Sequence, residues 1–275
     1  MRVDAHVHML KPGGDRDVFR RNLAAAGLDG ALLISLPPPR FFPAGHTLST
    51  AARQHELADW TAPGTQCYGL FWVDPLEEDA VAQVHAAAAA GVHGFKIICD
   101  RCYPHDARVL AVCRASAALN KPVLFHSGIL WDGKDSSRYN RPAEFEALLE
   151  VPGLRFALAH ISWPWCDECI AVYGKFQSAR GLRVGHHAEM FIDLTPGTPP
   201  IYRREALTRL LGADYDVQDN LLFGSDGETS AGYGVAWAQE WIARDTEIYE
   251  SLRITPAAQA RIFGGNALRF LDLTR

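Results

Sequence analysis

Met1-Arg-Val-Asp4-Ala-His6-Val-His8 opens the chain, an apolar alternating run that ends in two histidines two positions apart. Side chains alternate across a β-strand, so His6 and His8 point to the same side. Both imidazoles can then reach one ion through nitrogen bonds of roughly 2.0–2.1 Å, the length that zinc and its neighbours prefer. His-x-His alone says little, since two such histidines also occur by chance or on a solvated face. The motif gains weight from three polar residues at the ends of later strand-like runs: His126 in Val-Leu-Phe-His-Ser-Gly, His160 in Leu-Ala-His-Ile and Asp226 in Leu-Phe-Gly-Ser-Asp.

Outward from that strand, apolar runs alternate with amphipathic ones along the whole chain, the pattern of a parallel α/β sheet. Strands are expected at 2–8, 30–36, 66–74, 94–98, 122–127, 155–162, 190–195 and 220–225. Helices are expected between them, at 15–26, 47–60, 77–90, 106–119, 142–150, 166–180, 203–212 and 235–252. The 77–90 run is Ala-rich, which favours a helix, and Gly91 ends it. Eight strand–helix pairs in 275 residues predict a single (β/α)8 TIM barrel over 1–275, with an extra C-terminal helix from Pro256 to Leu273. No Gly-x-Gly-x-x-Gly follows the first strand, which weighs against a dinucleotide-binding sheet. Two long stretches, Pro37 to His46 and Ile129 to Arg141, follow strand ends, where a barrel builds its active site.

A net charge of −5 argues against a nucleic-acid partner, because phosphate binding needs clustered Lys and Arg. No apolar stretch reaches the ~18 residues of a membrane span, and the N-terminus reads as a strand rather than a signal peptide. A soluble, cytoplasmic protein is expected, without nucleic-acid or membrane partners. Its six cysteines are then expected to be reduced. Two Cys-x-x-Cys pairs, Cys99/Cys102 and Cys166/Cys169, lie roughly 60 residues apart, against 15–20 for a zinc ribbon. Ordinary buried thiols are the simpler reading.

On this strand assignment His6 and His8, Lys96, His126, His160 and Asp226 share the C-terminal ends of strands 1, 4, 5, 6 and 8. A lone buried histidine is usually a satisfied core residue. So many metal-type residues at one end of a barrel are hard to explain as packing, because desolvating several ionisable groups is costly without a metal or partners.

These residues resemble the amidohydrolase superfamily, within it the branch of aminocarboxymuconate-semialdehyde decarboxylase and related dicarboxylate lactone hydrolases. The resemblance runs from Asp4-Ala-His6-Val-His8 to Ile262-Phe-Gly-Gly-Asn266-Ala-Leu-Arg-Phe. It implies that His6, His8, His126 and Asp226 surround one divalent metal, zinc first with manganese or iron also suited. It also implies that His160 polarises the substrate or the bound water. A metal held by neutral histidines keeps a position open for water and lowers its pKa from 15.7 towards about 7. Asp226 can take that proton as general base, and His160 can stabilise charge on a carbonyl oxygen. Asp4 either orients a histidine or helps the backbone at the strand start. Lys96, in Gly94-Phe-Lys-Ile, lies where two-metal relatives such as phosphotriesterase carry a carboxylated lysine bridging two ions. One-metal relatives keep a similar lysine as an amine near the substrate, and the closer resemblance is to these. The bland reading is a lysine snorkelling from the barrel rim. Deoxyribonuclease-like relatives usually carry an acid there, so a nuclease is not expected.

Two loops offer substrate contacts. Trp131, Arg138 and Arg141 follow strand 5, and arginine suits bidentate carboxylate recognition. Trp163 follows strand 6 and could wall a planar ligand. The bland readings are surface ion pairs for Arg138 and Arg141 and a plug of the barrel top for Trp163. Arg101, after strand 4, is a weaker candidate. His46, His55, His85, His93, His105, His186 and His187 are read as surface residues. Asp193 and Thr195 are expected to line the site without binding metal.

The resulting expectation is a metal-dependent hydrolase that adds activated water to an amide, lactone or ester of a small carboxylated molecule. The alternative is a non-oxidative decarboxylase with the same ligands. A non-catalytic metal- or ligand-binding protein is a third, weakened by a base placed beside an open coordination position. The resemblance also makes a homodimer an expectation.

Overall fold

Asp15 begins the first helix by accepting hydrogen bonds from Asp17 N and Val18 N, both at 2.9 Å, an N-cap written directly in the sequence. The computed structural model describes residues 1–41, 48–182 and 188–273; His186, His187 and the second half of the 37–46 stretch, His46 included, lie outside them. Strands and helices alternate in the expected order. The strands are β1 (Val3–His8), β2 (Gly30–Ile34), β3 (Cys67–Trp72), β4 (Gly94–Ile97), β5 (Val123–Phe125), β6 (Arg155–Leu158), β7 (Glu189–Asp193), β8 (Leu221–Leu222) and β9 (Gly227–Glu228). The helices between them are α1 (Arg16–Ala25), α2 (Thr50–Trp60), α3 (Ala80–Ala89), α4 (Ala107–Ala118), α5 (Cys166–Gly181) and α6 (Pro200–Gly212). Then come α7 (Val235–Ser251), α8 (Pro256–Ala260) and α9 (Asn266–Phe270).

All pairings are parallel, in the order β8-β7-β6-β5-β4-β3-β2-β1-β9. The two edge strands, β8 and β9, belong to one short run of chain. Its start pairs with β7, its end pairs with β1, and Phe223 O between them accepts from Ala5 N at 2.8 Å. The sheet therefore curls back on itself in a TIM-barrel-like α/β fold, with a broken last strand in place of the continuous 220–225 expected.

Two apolar cores follow from strand alternation. Outward residues such as Phe95, Ile97, Val123 and Phe156 pack against the helices. Inward ones, among them Val3, Ala5, Leu32, Leu70, Leu124 and Phe191, fill the interior. Strict alternation after Val3 and Ala5 would turn His6 away from that interior. Instead β1 advances from Asp4 to Val7 while β2 advances only from Ala31 to Leu33. The extra residue is a β-bulge, which re-aims His6 and His8 together.

Three expectations change. The 155–162 strand stops at Leu158, and His160, Ile161 and Ser162 turn through left-handed φ values of 62°, 50° and 55°. The 142–150 helix is a 3-10 run. The C-terminal helix is not continuous: α8 and α9 flank a π-turn at Arg261–Gly265. There Gly264 lies against the start of β1, and a Cβ would meet Met1 O at 2.3 Å. That break seats α9 so that Phe270 packs on Phe191, centroids 5.1 Å apart, and closes the inner core.

All six cysteines are buried free thiols. No helix among the described residues is long and apolar enough to cross a membrane.

Candidate metal centre and active-site cavity

The bulge in β1 brings His6 Nε2 within 3.1 Å of His8 Nε2. Asp226 Oδ1, on the turn after β8, lies 3.7 Å from His6 Nε2 and 3.4 Å from His8 Nε2. Among the described residues these three are the one group of histidine, cysteine or acidic side chains whose donor atoms all converge. A tetrahedral ion with bonds of roughly 2.0–2.1 Å separates its ligand atoms by about 3.3 Å, which is the size of this triangle. Two imidazole lone pairs facing each other at this distance repel unless a cation or proton lies between them. The residues fit a divalent ion.

The backs of these ligands are fixed by carboxylates. His6 Nδ1 is 2.6 Å from Asp193 Oδ2 on β7, with both side chains fully buried. Sequence reading placed Asp193 near the site but missed this contact. Burial pushes His6 down to about 4, with the Lys96 charge acting in the same direction, so its imidazole is neutral. Burial alone would raise Asp193, but the His6 contact outweighs it and the carboxyl stays below its ordinary range. Asp4 does not orient a histidine ring. It accepts from Ser225 N at 2.9 Å, from the Ser225 hydroxyl and from Tyr233 OH at 2.6 Å, and so braces the turn that carries Asp226 at φ 57°. Burial lifts its carboxyl to about 6 against those bonds. For Asp226, burial is outweighed by the neighbouring His8, His6 and His160, and the group stays ionised.

His160 and His126 continue the row. Ring centroids are 5.4 Å apart for His6 and His160 and 5.0 Å for His160 and His126. Burial lowers both, His126 strongly. His126 is not in the ligand triangle: its Nε2 lies 3.2 Å from Ile129 O, which leaves Nδ1 as its free nitrogen. Lys96 on β4 does not snorkel. It is 1% exposed, its Nζ has no partner among the described residues, and burial lowers the ammonium to about 8.

These groups form the floor of a cavity of about 340 Å³ at the C-terminal ends of the strands, the size of a small-ligand site. Phe41, Trp72, Ile98, Leu130 and Trp163 are among its walls, and Trp131, 77% exposed, stands at its mouth. Trp163 stacks on Tyr202 rather than plugging the barrel. The two arginines expected here are elsewhere. Arg138 pairs with Asp135 and Tyr139, and Arg141 with Glu168, each about half exposed, and neither lines the cavity. Arg101 is also absent from the lining. His55, His85 and His105 are exposed as expected, whereas His93 is half-buried and accepts from Gly69 N.

A family model described as amidohydrolase matches residues 3–273. No curated protein matches the sequence. The fold is similar to 2,6-dihydroxybenzoate decarboxylase from Rhizobium, with 14% identity and TM-score 0.65 over 99% of this chain and 98% of that one. It is similar to 5-carboxyvanillate decarboxylase from Novosphingobium aromaticivorans, complexed with manganese, with 14% identity and TM-score 0.65 over 99% and 96%. It is also similar to dihydroorotase from Campylobacter jejuni, with 14% identity and TM-score 0.60 over 100% and 84%.

Proposed function

Because the chain belongs to the amidohydrolase family, we propose that this cavity is the active site of a metal-dependent hydrolase acting on an amide, lactone or ester of a small carboxylated molecule. The observation that carries the proposal is the triangle of His6 Nε2, His8 Nε2 and Asp226 Oδ1 at 3.1, 3.7 and 3.4 Å. These three residues would hold one divalent ion, zinc by the chemistry of the donors, with manganese or iron as alternatives. His126, on the same wall, would join through Nδ1. When bound, the ion supplies a Lewis acid that polarises a substrate oxygen and acidifies water.

The protein's own groups do the rest. Asp193 holds the His6 proton on Nδ1, leaving Nε2 free to face the ion. Asp226, held ionised and still 37% exposed, accepts the proton of the attacking water. His160 is neutral and its Nδ1 has no partner among the described residues, so it can donate to a developing oxyanion or to the leaving group. The apolar walls exclude bulk water and strengthen each of these interactions.

A non-oxidative decarboxylase is the second reading. It is supported by a cavity wall richer in aromatic and aliphatic side chains than in polar ones, and by similarity to two decarboxylases along almost the whole chain. Elemental mass spectrometry of freshly purified protein should find about one ion per chain. Protein that takes up neither added zinc nor manganese would overturn both readings. Metal-loaded protein is then offered lactones, amides and esters of small carboxylic acids, and separately hydroxybenzoates. Acid release without CO2 supports the hydrolase, and CO2 release supports the decarboxylase.

A further inference from the structure

Two buried donors inside the cavity meet no acceptor among the described residues. Among the described residues Lys96 Nζ and Trp72 Nε1 have no hydrogen-bond partner, and the two residues are 1% and 6% exposed. Among the described residues no carboxylate lies within ion-pair distance of Lys96. The two are not scattered. Trp72 and Lys96 are paired positions of the adjacent strands β3 and β4, so their side chains leave the sheet together on the cavity side. Native proteins rarely leave such donors unsatisfied, and a buried ammonium least of all.

We infer that Lys96 and Trp72 form a carboxylate subsite, distinct from the His6–His8–Asp226 triangle, and that the substrate is a compact monocarboxylate with a flat apolar body. The inference rests on the reading of this cavity as the active site. A carboxylate offers two oxygens to two donors and one negative charge to one ammonium. Lys96 is the single Lys or Arg among the described cavity-lining residues, so away from the His6–His8–Asp226 ion position a second carboxylate would find no cation there. Arg40, whose neighbour Phe41 lines the cavity, is already committed to Asp74 and Asp100. The body of the ligand is specified by what flanks the subsite. The Phe41 and Trp72 rings lie 4.9 Å apart, and Ile98 and Leu130 complete an apolar wall. Anchored there, the carboxylate serves as a handle that orients the rest of the molecule towards His160 and Asp226.

The test is calorimetric titration of benzoate, benzamide and phthalate into metal-loaded and chelator-stripped protein. Benzoate should bind both forms of the wild type. Lys96→Met should weaken it about 10-fold or more, the loss of a charged hydrogen bond, and Trp72→Phe about fivefold, the loss of a neutral one. Benzamide should respond little to either substitution, and phthalate should bind the chelator-stripped form no more tightly than benzoate. Lys96→Gln, which keeps a polar donor in place, should fall between Lys96→Met and wild type. Circular dichroism melts establish that each variant is folded. Benzoate affinity indifferent to both substitutions overturns the subsite. So does binding that disappears when the metal is stripped, which would leave the metal-enzyme reading standing. A carbamate carbon signal from labelled bicarbonate, present in wild type and absent in Lys96→Met, also overturns it. Protein that takes up no metal yet binds benzoate through Lys96 and Trp72 would support the subsite and sink the proposed function.

Discussion

His6 Nδ1 and Asp193 Oδ2 lie 2.6 Å apart, and through them β1 is tied to β7 across the interior of the sheet. The contact decides what His6 can do. A neutral imidazole carries one proton, and a buried carboxylate beside Nδ1 keeps that proton there. Nε2 is left as a lone pair facing His8 and Asp226. Asp193 is itself held in place, since its other oxygen accepts from Thr195 N at 2.7 Å and from the Thr195 hydroxyl.

Asp193→Asn keeps the shape but offers an amide in place of the carboxylate, so the His6 tautomer is no longer fixed. Metal affinity is expected to fall about 10–100-fold while the fold is retained. Competition with a chromophoric chelator measures it. Unchanged affinity would mean that Asp193 is only a packing contact.

Gly197 faces the His160 side chain so closely that an added Cβ would lie 2.7 Å from His160 Cβ and 3.0 Å from Nδ1. Gly197→Ala should push the imidazole aside, and displacements of this size cost on the order of 10²-fold in rate. Metal content should not change. A fall in kcat with the ion still bound places His160 in the chemistry, whereas parallel loss of metal would give it a different role.

His8 and His126 were both expected to bind metal, yet only His8 stands in the converging group. His8→Ala should abolish metal uptake. His126→Ala should weaken it less, because its Nε2 is engaged with Ile129 O. Equal losses on metal titration would show that His126 swings fully into the ligand set.

What the sequence made legible was what local pattern controls. Strand order, the His6/His8 pair, and the positions of His160 and Asp226 at strand ends all follow from alternation and apolar runs. The Asp193 contact spans 187 positions, and no local pattern encodes it. The turn at 160–162 carries no glycine, asparagine or proline to announce its left-handed backbone. The bulge in β1 is equally silent, because a one-residue slip is compatible with the same letters. Arg138 and Arg141 show the opposite error. Cations after a barrel strand suggest a ligand, but their direction was set by acids outside the cavity, Asp135 and Glu168.

Away from the site, Arg203 of α6 and Asp245 of α7 form a fully buried bidentate pair, 2.8 Å from Nε to Oδ1 and 2.6 Å from Nη2 to Oδ2. Removing one partner strands the other charge. Arg203→Met should cost about 3–5 kcal/mol in urea unfolding, and adding Asp245→Leu should recover much of it. A single variant as stable as wild type would mean that water reaches Asp245.

Glu189, at the start of β7, gives a pH-dependent test. Its Oε1 lies 2.6 Å from Arg180 Nη1 and 2.8 Å from Arg269 Nη1. Burial pushes the carboxyl up, but the two guanidiniums outweigh it and hold the group below its ordinary 4.5. With a folded value beneath the unfolded one, the unfolded chain binds more protons between them, so stability rises with pH through that window. The contribution is complete above about 4.5 and fades as pH falls through the folded value. Glu189→Gln should therefore cost about 1–2 kcal/mol at pH 7, a modest figure because both arginines are partly exposed. The difference from wild type should shrink steadily below pH 4.5. Urea midpoints of the two proteins from pH 3 to pH 7 measure it, and a gap that does not narrow at the acid end would show that Glu189 acts through shape rather than charge.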